Sequence, residues 1–364
     1  MAGAAAVELL IDQAWEANDE DRYERMVAAG GRAVAAAEAL DDPALLVLAL
    51  VVEATGLRML GDDRAALARY TRVLALAEDP ARRHHLTGEA AAWAIAQAYT
   101  FWVESARFLT DVPYRKLFAV LDAAETWLTA TGHRHWRATV LLQRASLHHA
   151  LGENDAAIAR AEEALAAYRP GAPGATLGTY RSELGDILRD AGRPAHAVPH
   201  YQAILDDPDS GPNDQQAAHK GLAYCALAAD QPAEARRHAT HALALAEPLG
   251  DDNLCTALEV LTEACRAGGD LDTAWTTARR HLDTARRIGD HYRPYYAVRA
   301  AIDVALDRAD LPTARHLLTD LEDHATALDT ASATTAHTAD ASERRERLAD
   351  LDADLDASSG GAGP

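Results

Sequence analysis

The chain has 364 residues, 49% hydrophobic but only 5% aromatic, and carries 35 basic against 56 acidic side chains for a net charge of −21. That length allows two domains or one long repeat array, and alanine and leucine, both strong helix formers, supply most of the apolar surface. Such a charge argues against nucleic acid and anionic membranes as partners, since binding to either begins with neutralising phosphate.

In chain order, the opening MAGAAAVELLIDQAWE lacks a basic n-region and turns acidic within eight residues, so it does not read as a signal peptide. The longest apolar run, Ala44 to Val52, is too short to span a bilayer. Cys225, Cys255 and Cys265 form neither a CxxC pair nor a zinc spacing, which points to buried, reduced thiols and a cytoplasmic protein. Only Lys116 and Lys220 among the basic residues are lysines.

Short turn segments then recur: LGDDRAAL at Gly61, LGENDAAI at Gly152, AGRPAHAV at Gly192, ADQPAEAR at Asp230, GGDLDTAW at Gly269 and RADLPTAR at Ala309. The anchors are 91, 40, 38, 39 and 40 residues apart, and five residues after each stands an alanine (Ala66, Ala157, Ala197, Ala235, Ala274, Ala314). A period near 40 with helical patterning on both sides of a Gly/Asp turn predicts stacked helical hairpins. Their expected bounds are 5–40, 43–79, 82–131, 133–169, 174–207, 213–249, 251–289 and 291–328, which makes 1–328 one repeat array. Pro170, Pro173, Pro208, Pro212 and Pro294 fall between units or at helix starts. A polar linker is expected over 329–341, then a weak amphipathic helix over 342–357 carrying Leu348, Leu351 and Leu355, and a disordered tail over 358–364.

The fifth hairpin reads Leu184-Gly185, Leu188, Gly192, Ala197, Tyr201. This resembles the tetratricopeptide repeat (TPR), in which Leu-Gly lies in helix A, Gly at the turn, and Ala and an aromatic in helix B. Small residues let the two helices approach, and the aromatic fills the gap. The resemblance covers roughly residues 5–328, with a period longer than the usual 34. It implies an all-α, right-handed TPR-like solenoid of about eight hairpins with helices A inside.

The interval between Gly61 and Gly152 exceeds two repeats by about 11 residues, which fall in the third hairpin. Trp93, Tyr99, Phe101, Trp102, Phe108, Tyr114, Phe118, Trp127 and Trp136 gather there. Two readings stand: bulky side chains fill an irregular hairpin, or they wall a pocket or groove.

In TPR proteins fixed helix-A positions face the ligand, and the resemblance carries these over when each turn anchor is set as position 15. Position 5 holds Val51, Leu142, Ser182, Lys220, Glu259 and Arg299. Position 9 holds Thr55, Ser146, Asp186, Tyr224, Glu263 and Asp303. Position 12 holds Arg58, His149, Arg189, Leu227, Arg266 and Leu306. No unit has the Lys and Asn pair of the carboxylate clamp. Arg58, His149, Arg189 and Arg266 form either a basic ladder able to hold acidic groups, or last-turn cations that complement the helix dipole. Toward the N-terminus the groove is expected to be apolar, with Leu48, Val51 and Leu142. The expected binding residues are Arg58, Trp93, Trp102, His149, Arg189, Lys220, Tyr224, Arg266 and Arg299.

The pairs His196/His200 and His238/His241 share helix faces but bring no third ligand, so they read as surface histidines and no metal is expected. No GxSxG, P-loop, HExxH or Rossmann fingerprint occurs. The leading functional reading is a non-enzymatic scaffold or regulatory adaptor that binds a protein or peptide bearing acidic and bulky apolar groups, without a cofactor. The alternative is an enzyme or small-molecule receptor with its pocket at residues 93–136.

Overall fold

A computed structural model describes residues 2–20, 22–86, 88–107, 112–170, 175–288, 292–332 and 336–360. Among them every regular element is helical. The chain divides into two compact units, Met1–Tyr180 and Arg181–Pro364.

The first unit holds α1 (Ala2–Asp19), α2 (Tyr23–Leu40), α3 (Pro43–Met59), α4 (Asp63–Glu78), the one-turn α5 (Pro80–Arg83), α6 (Glu89–Ala106), α7 (Tyr114–Thr131), α8 (Arg137–Ala150) and α9 (Asn154–Ala167). Then α10 (Leu177–Asp190) starts in the first unit and ends in the second. It is followed by α11 (Pro194–Leu205), α12 (Pro212–Ala228), α13 (Pro232–Ala246), α14 (Asp251–Ala267), α15 (Leu271–Ile288), α16 (Tyr292–Asp307), α17 (Leu311–Ser332) and α18 (Ala336–Gly360). Among the described residues, eight hairpins precede α18.

All six turn anchors share one backbone solution. Gly61, Gly152, Gly192, Asp230, Gly269 and Ala309 adopt left-handed conformations with φ between 56° and 79°. The next residue's N–H returns to the carbonyl four before the anchor, as Asp62 to Leu57 at 2.9 Å, Arg193 to Leu188 at 2.9 Å and Asp310 to Ala305 at 2.9 Å. This closure satisfies carbonyls that the ending helix leaves open. The following aspartate caps the second helix where it is present: Asp62 accepts from Ala65 N at 3.0 Å and Asp270 from Thr273 N at 3.1 Å. The six alanines five residues on are all fully buried, because any larger side chain would force the two helices apart.

In the fifth hairpin Tyr201 is fully buried. A Cβ placed on Gly185 of α10 would lie 2.7 Å from its ring, and one on Gly221 of α12 only 2.2 Å away. Two glycines on successive first helices thus form the slot that one tyrosine fills. Its hydroxyl donates to Asp186 Oδ1 at 2.6 Å.

The aromatic cluster of the third hairpin is core. Tyr99 and Phe101 are buried, with Phe101 against Tyr70 at 6.1 Å and Tyr99 against Trp127 at 6.4 Å. Phe108 lies outside the described residues. The additional length enters as α5, the long α6–α7 connection and a 3-10 turn at Arg134–Trp136.

The linker expected over 329–341 is instead shared between two helices, α17 to Ser332 and α18 from Ala336. The Asp329 carboxylate accepts from His337 N at 3.1 Å, Thr338 N at 2.8 Å and Thr338 Oγ1 at 2.7 Å, which starts the last helix. Composition suggested a coil, but buried Ala341 and Leu348 on α18 pack with the last hairpin. α18 continues through Gly360 into the stretch expected to be a disordered tail, and residues 361–364 lie outside the described ones.

Candidate functional site

Helical spacing sets which side chains share a face. Lys220 and Tyr224 are one turn apart on α12, as are Cys255 and Glu259 on α14 and Tyr292 and Tyr296 on α16. In the second unit these faces meet around a cavity of about 680 Å³. Arg189 and Asp190 of α10 line it, with Thr256 of α14, Arg293 and Arg299 of α16, and His281 of α15.

Most of its charges are already paired. Arg189 donates to Asp186 Oδ1 at 2.6 Å and Asp190 Oδ1 at 2.8 Å, and lies 5.1 Å from the Tyr224 ring centroid. Burial alone would lower the Arg189 pKa, but Asp186, Tyr201 and Asp190 raise it above its ordinary value. Arg293 meets Asp252 at 3.0 Å, and Arg299 meets Glu259 at 3.6 Å while lying 4.9 Å from the Tyr296 centroid. Lys220 differs: among the described residues it makes no ion pair. It acts on Glu259 only through space. Burial holds the Glu259 pKa above the usual carboxylate range, against the pull of Arg299 and Lys220.

Burial also pushes the Tyr224 phenol well above its ordinary value, with Glu259 adding to the shift. His281 is 2% exposed and its Nδ1 has no hydrogen-bond partner. Burial, with Arg293 adding, pushes its pKa down to about 4, so the imidazole is neutral at pH 7. The cavity therefore offers three phenol rings, one unneutralised cation and a neutral imidazole. That chemistry suits binding.

Four of the expected residues, Arg189, Lys220, Tyr224 and Arg299, come together here. The others do not join them. Arg266 is engaged by Glu263 at 2.9 Å and Asp307 at 3.1 Å. In the first unit Arg58 pairs with Glu104 at 3.7 Å and lies 4.4 Å from the Phe101 centroid. The ladder expected of Arg58, His149, Arg189 and Arg266 is thus, at its three arginines, a set of internal ion pairs. His149 is half-buried near the end of α8. Trp93 is half-buried edge-on to Trp15 at 6.3 Å. Trp102 is 4% exposed, with Nε1 donating to Thr71 Oγ1 at 2.8 Å, which makes it a core residue. Val51 and Leu142, expected on an apolar groove wall, are buried core as well.

Sequence reasoning missed Thr256 and Tyr296, although each lies three residues before a position it named (Glu259 and Arg299). Extending the helical face one turn toward the N-terminus finds them. It missed His281 because that residue sits on a second helix. It also missed His219, which the fold brings to the His238/His241 pair expected at the surface: the Nδ1 atoms of His219 and His238 are 3.0 Å apart, and His219 stacks on His241 at 5.0 Å.

No family model matches the sequence, and no curated protein is similar to it. Solved structures are similar in fold. The apo form of RapI superposes with a TM-score of 0.58 at 11% identity, over 96% of this chain and 98% of that one. A Rap protein complexed with Competence and Sporulation Factor gives 0.55 at 14%, over 96% and 99%. The apo quorum sensor NprR from B. thuringiensis gives 0.55 at 13%, over 95% and 98%. The chain has the TPR-type helical-repeat fold. The left-handed turn residues, the buried alanines and the Gly185–Tyr201–Gly221 slot are how this sequence builds it. None of the described helices is long and apolar enough to cross a membrane.

Proposed function

We propose that the protein is a non-enzymatic, cytoplasmic regulatory adaptor that holds an extended protein or peptide segment along the first helices of the second unit. The carrying observation is the polar cavity built by α10, α12, α14 and α16, where Lys220 lines the space and, among the described residues, makes no ion pair, Glu259 acting on it only through space. An acidic group of the ligand would meet Lys220, and a bulky apolar group would lie on Tyr224, Tyr292 or Tyr296. Arg189 and Arg299, held by their own carboxylates and each close to a tyrosine ring, would position those rings. The similar folds support a ligand-responsive role: one holds Competence and Sporulation Factor and another is a quorum sensor. For the alternative pocket at residues 93–136, Tyr99, Phe101 and Trp102 are buried, which favours the second-unit cavity, while Trp93, Tyr114 and Phe118 are half-buried.

A random peptide library displayed on phage tests this. Panning against the full chain should enrich sequences with acidic and aromatic or large aliphatic residues, and Lys220→Gln and Tyr296→Ala should each lower their affinity at least tenfold. Failure to enrich any peptide, or affinity in both variants unchanged from that of the parent chain, overturns the proposal.

A further inference from the structure

His219 of α12 and His238 of α13 face each other across their hairpin, Nδ1 to Nδ1 at 3.0 Å. They border a second cavity of about 500 Å³ walled by apolar residues of α11 and α12, among them Val198, Leu205 and Leu222. The Glu234 carboxylate lies 3.2 Å from His238 Nε2. A neutral His238 whose Nε2–H donates to Glu234 presents Nδ1 as an acceptor, and the Nδ1–H of His219 then donates to it. A first added proton fits this arrangement: His238 becomes an imidazolium beside Glu234, and His219 moves its hydrogen to Nε2 so that its own Nδ1 accepts. A second proton does not fit. Both Nδ1 atoms would then carry hydrogens pointing at each other, and two positive rings would touch.

We infer that the His219–His238 pair is an acid-sensitive latch that holds α12 to α13 when it carries at most one extra proton and parts when it takes up the second. This stands independently of the binding function proposed above. The surrounding groups are few. From α13, Glu234 favours the charged form of His238, while Arg237 and His241 oppose charge on the pair. On α12 Cys225 lines the same cavity, and the residues of α11 that line it do not titrate. Burial disfavours charge on both rings, and only then do the neighbouring cations; the His219 pKa is pushed down to about 4 and that of His238 is lowered. The two sites titrate as a pair, with the second uptake at the lower pH. Lys220 follows His219 directly and sits on the other cavity, so opening this seam moves the helix that carries Lys220 and Tyr224.

Backbone hydrogen exchange of the full chain, read by mass spectrometry at pH 7, 6, 5 and 4.5 and corrected for intrinsic rate, tests the latch. Peptides covering 216–228 and 232–242 should lose protection at least tenfold between pH 6 and 4.5. His219→Gln, which keeps a hydrogen-bonding side chain without the charge, should stay protected. Equal protection at every pH overturns the inference, as does the same loss in His219→Gln. Loss that is equally large over α14 and α15 assigns the effect to His281 and overturns it too.

Discussion

Replacing Gly221 with alanine places one methyl group where there is no room for it. The new Cβ would lie 2.2 Å from Tyr201 Cζ and 2.3 Å from Cε1, so the ring or α12 must retreat by roughly 1 Å or more to reach van der Waals contact. The ring cannot slide freely. Gly185 closes its other side, and its hydroxyl is bound to Asp186 at 2.6 Å. Overpacking costs about 1–3 kcal/mol. Losing the hydrogen bond to the carboxylate adds about 1.5–3 kcal/mol. Alanine's better helix propensity returns about 1 kcal/mol. The expected net loss is therefore about 1.5–5 kcal/mol, read as a fall in the urea midpoint by circular dichroism. The decisive comparison is the same change made in Tyr201→Leu. With the ring gone, Gly221→Ala should cost little or stabilise, since only propensity remains. If Gly221→Ala costs less than about 0.5 kcal/mol in the native background, or costs as much without the tyrosine, the slot is not what limits the approach of α10 to α12.

Three further outcomes are expected. Trp102→Ala should lower stability by about 3–5 kcal/mol in a thermal or urea melt, because it empties a buried site rather than a ligand surface. Ala309→Gly should raise the melting temperature, by about 0.5–1 kcal/mol in stability: the exposed alanine sits at φ 56°, and relief of that strain outweighs the larger unfolded-state entropy of glycine. His281 is neutral and buried, with its folded-state pKa near 4 against an ordinary value of 6.5. The unfolded chain therefore takes up the proton first, and stability falls as pH drops from about 6.5 toward 4; melts of His281→Leu should show a shallower fall over that window.

The turns were legible because one backbone conformation demands them. A residue at positive φ followed by a capped second helix leaves a sequence trace even where Asp230 and Ala309 replace glycine. The alanines were legible because close helix approach tolerates nothing larger. The third hairpin was not, since its sequence lacks that motif and buried rings fill its interior. The site was half legible. Repeat positions found Lys220, Tyr224, Arg189 and Arg299, but they carry no information about second helices, so His281 and the His219–His238 contact stayed hidden.

What the repeat positions misjudged was the charge of the arginines, and the reason lies in the repeat itself. In stacked hairpins, residues one period apart in sequence become lateral neighbours. Arg236 therefore meets Asp270, Arg280 meets Glu247, Arg287 meets Asp251, Arg266 meets Asp307 and Arg293 meets Asp252, at separations of 34, 33, 36, 41 and 41 residues. Each exposed pair contributes only about 0–1 kcal/mol. Their recurrence at the repeat interval makes them more useful for register than for stability: a hairpin displaced along its neighbour would set arginine against the wrong turn of helix. An acidic, arginine-rich composition is then what a long-period array needs to align its own units, and few of its cations remain for a ligand. Lys220 stands out against that background. It is one of only two lysines in the chain, it lines a cavity, and Glu259, one repeat away, acts on it through space while making its ion pair with Arg299. A basic residue that the lateral pairing leaves over is a better guide to a binding surface than the total count of basic residues on one helix face.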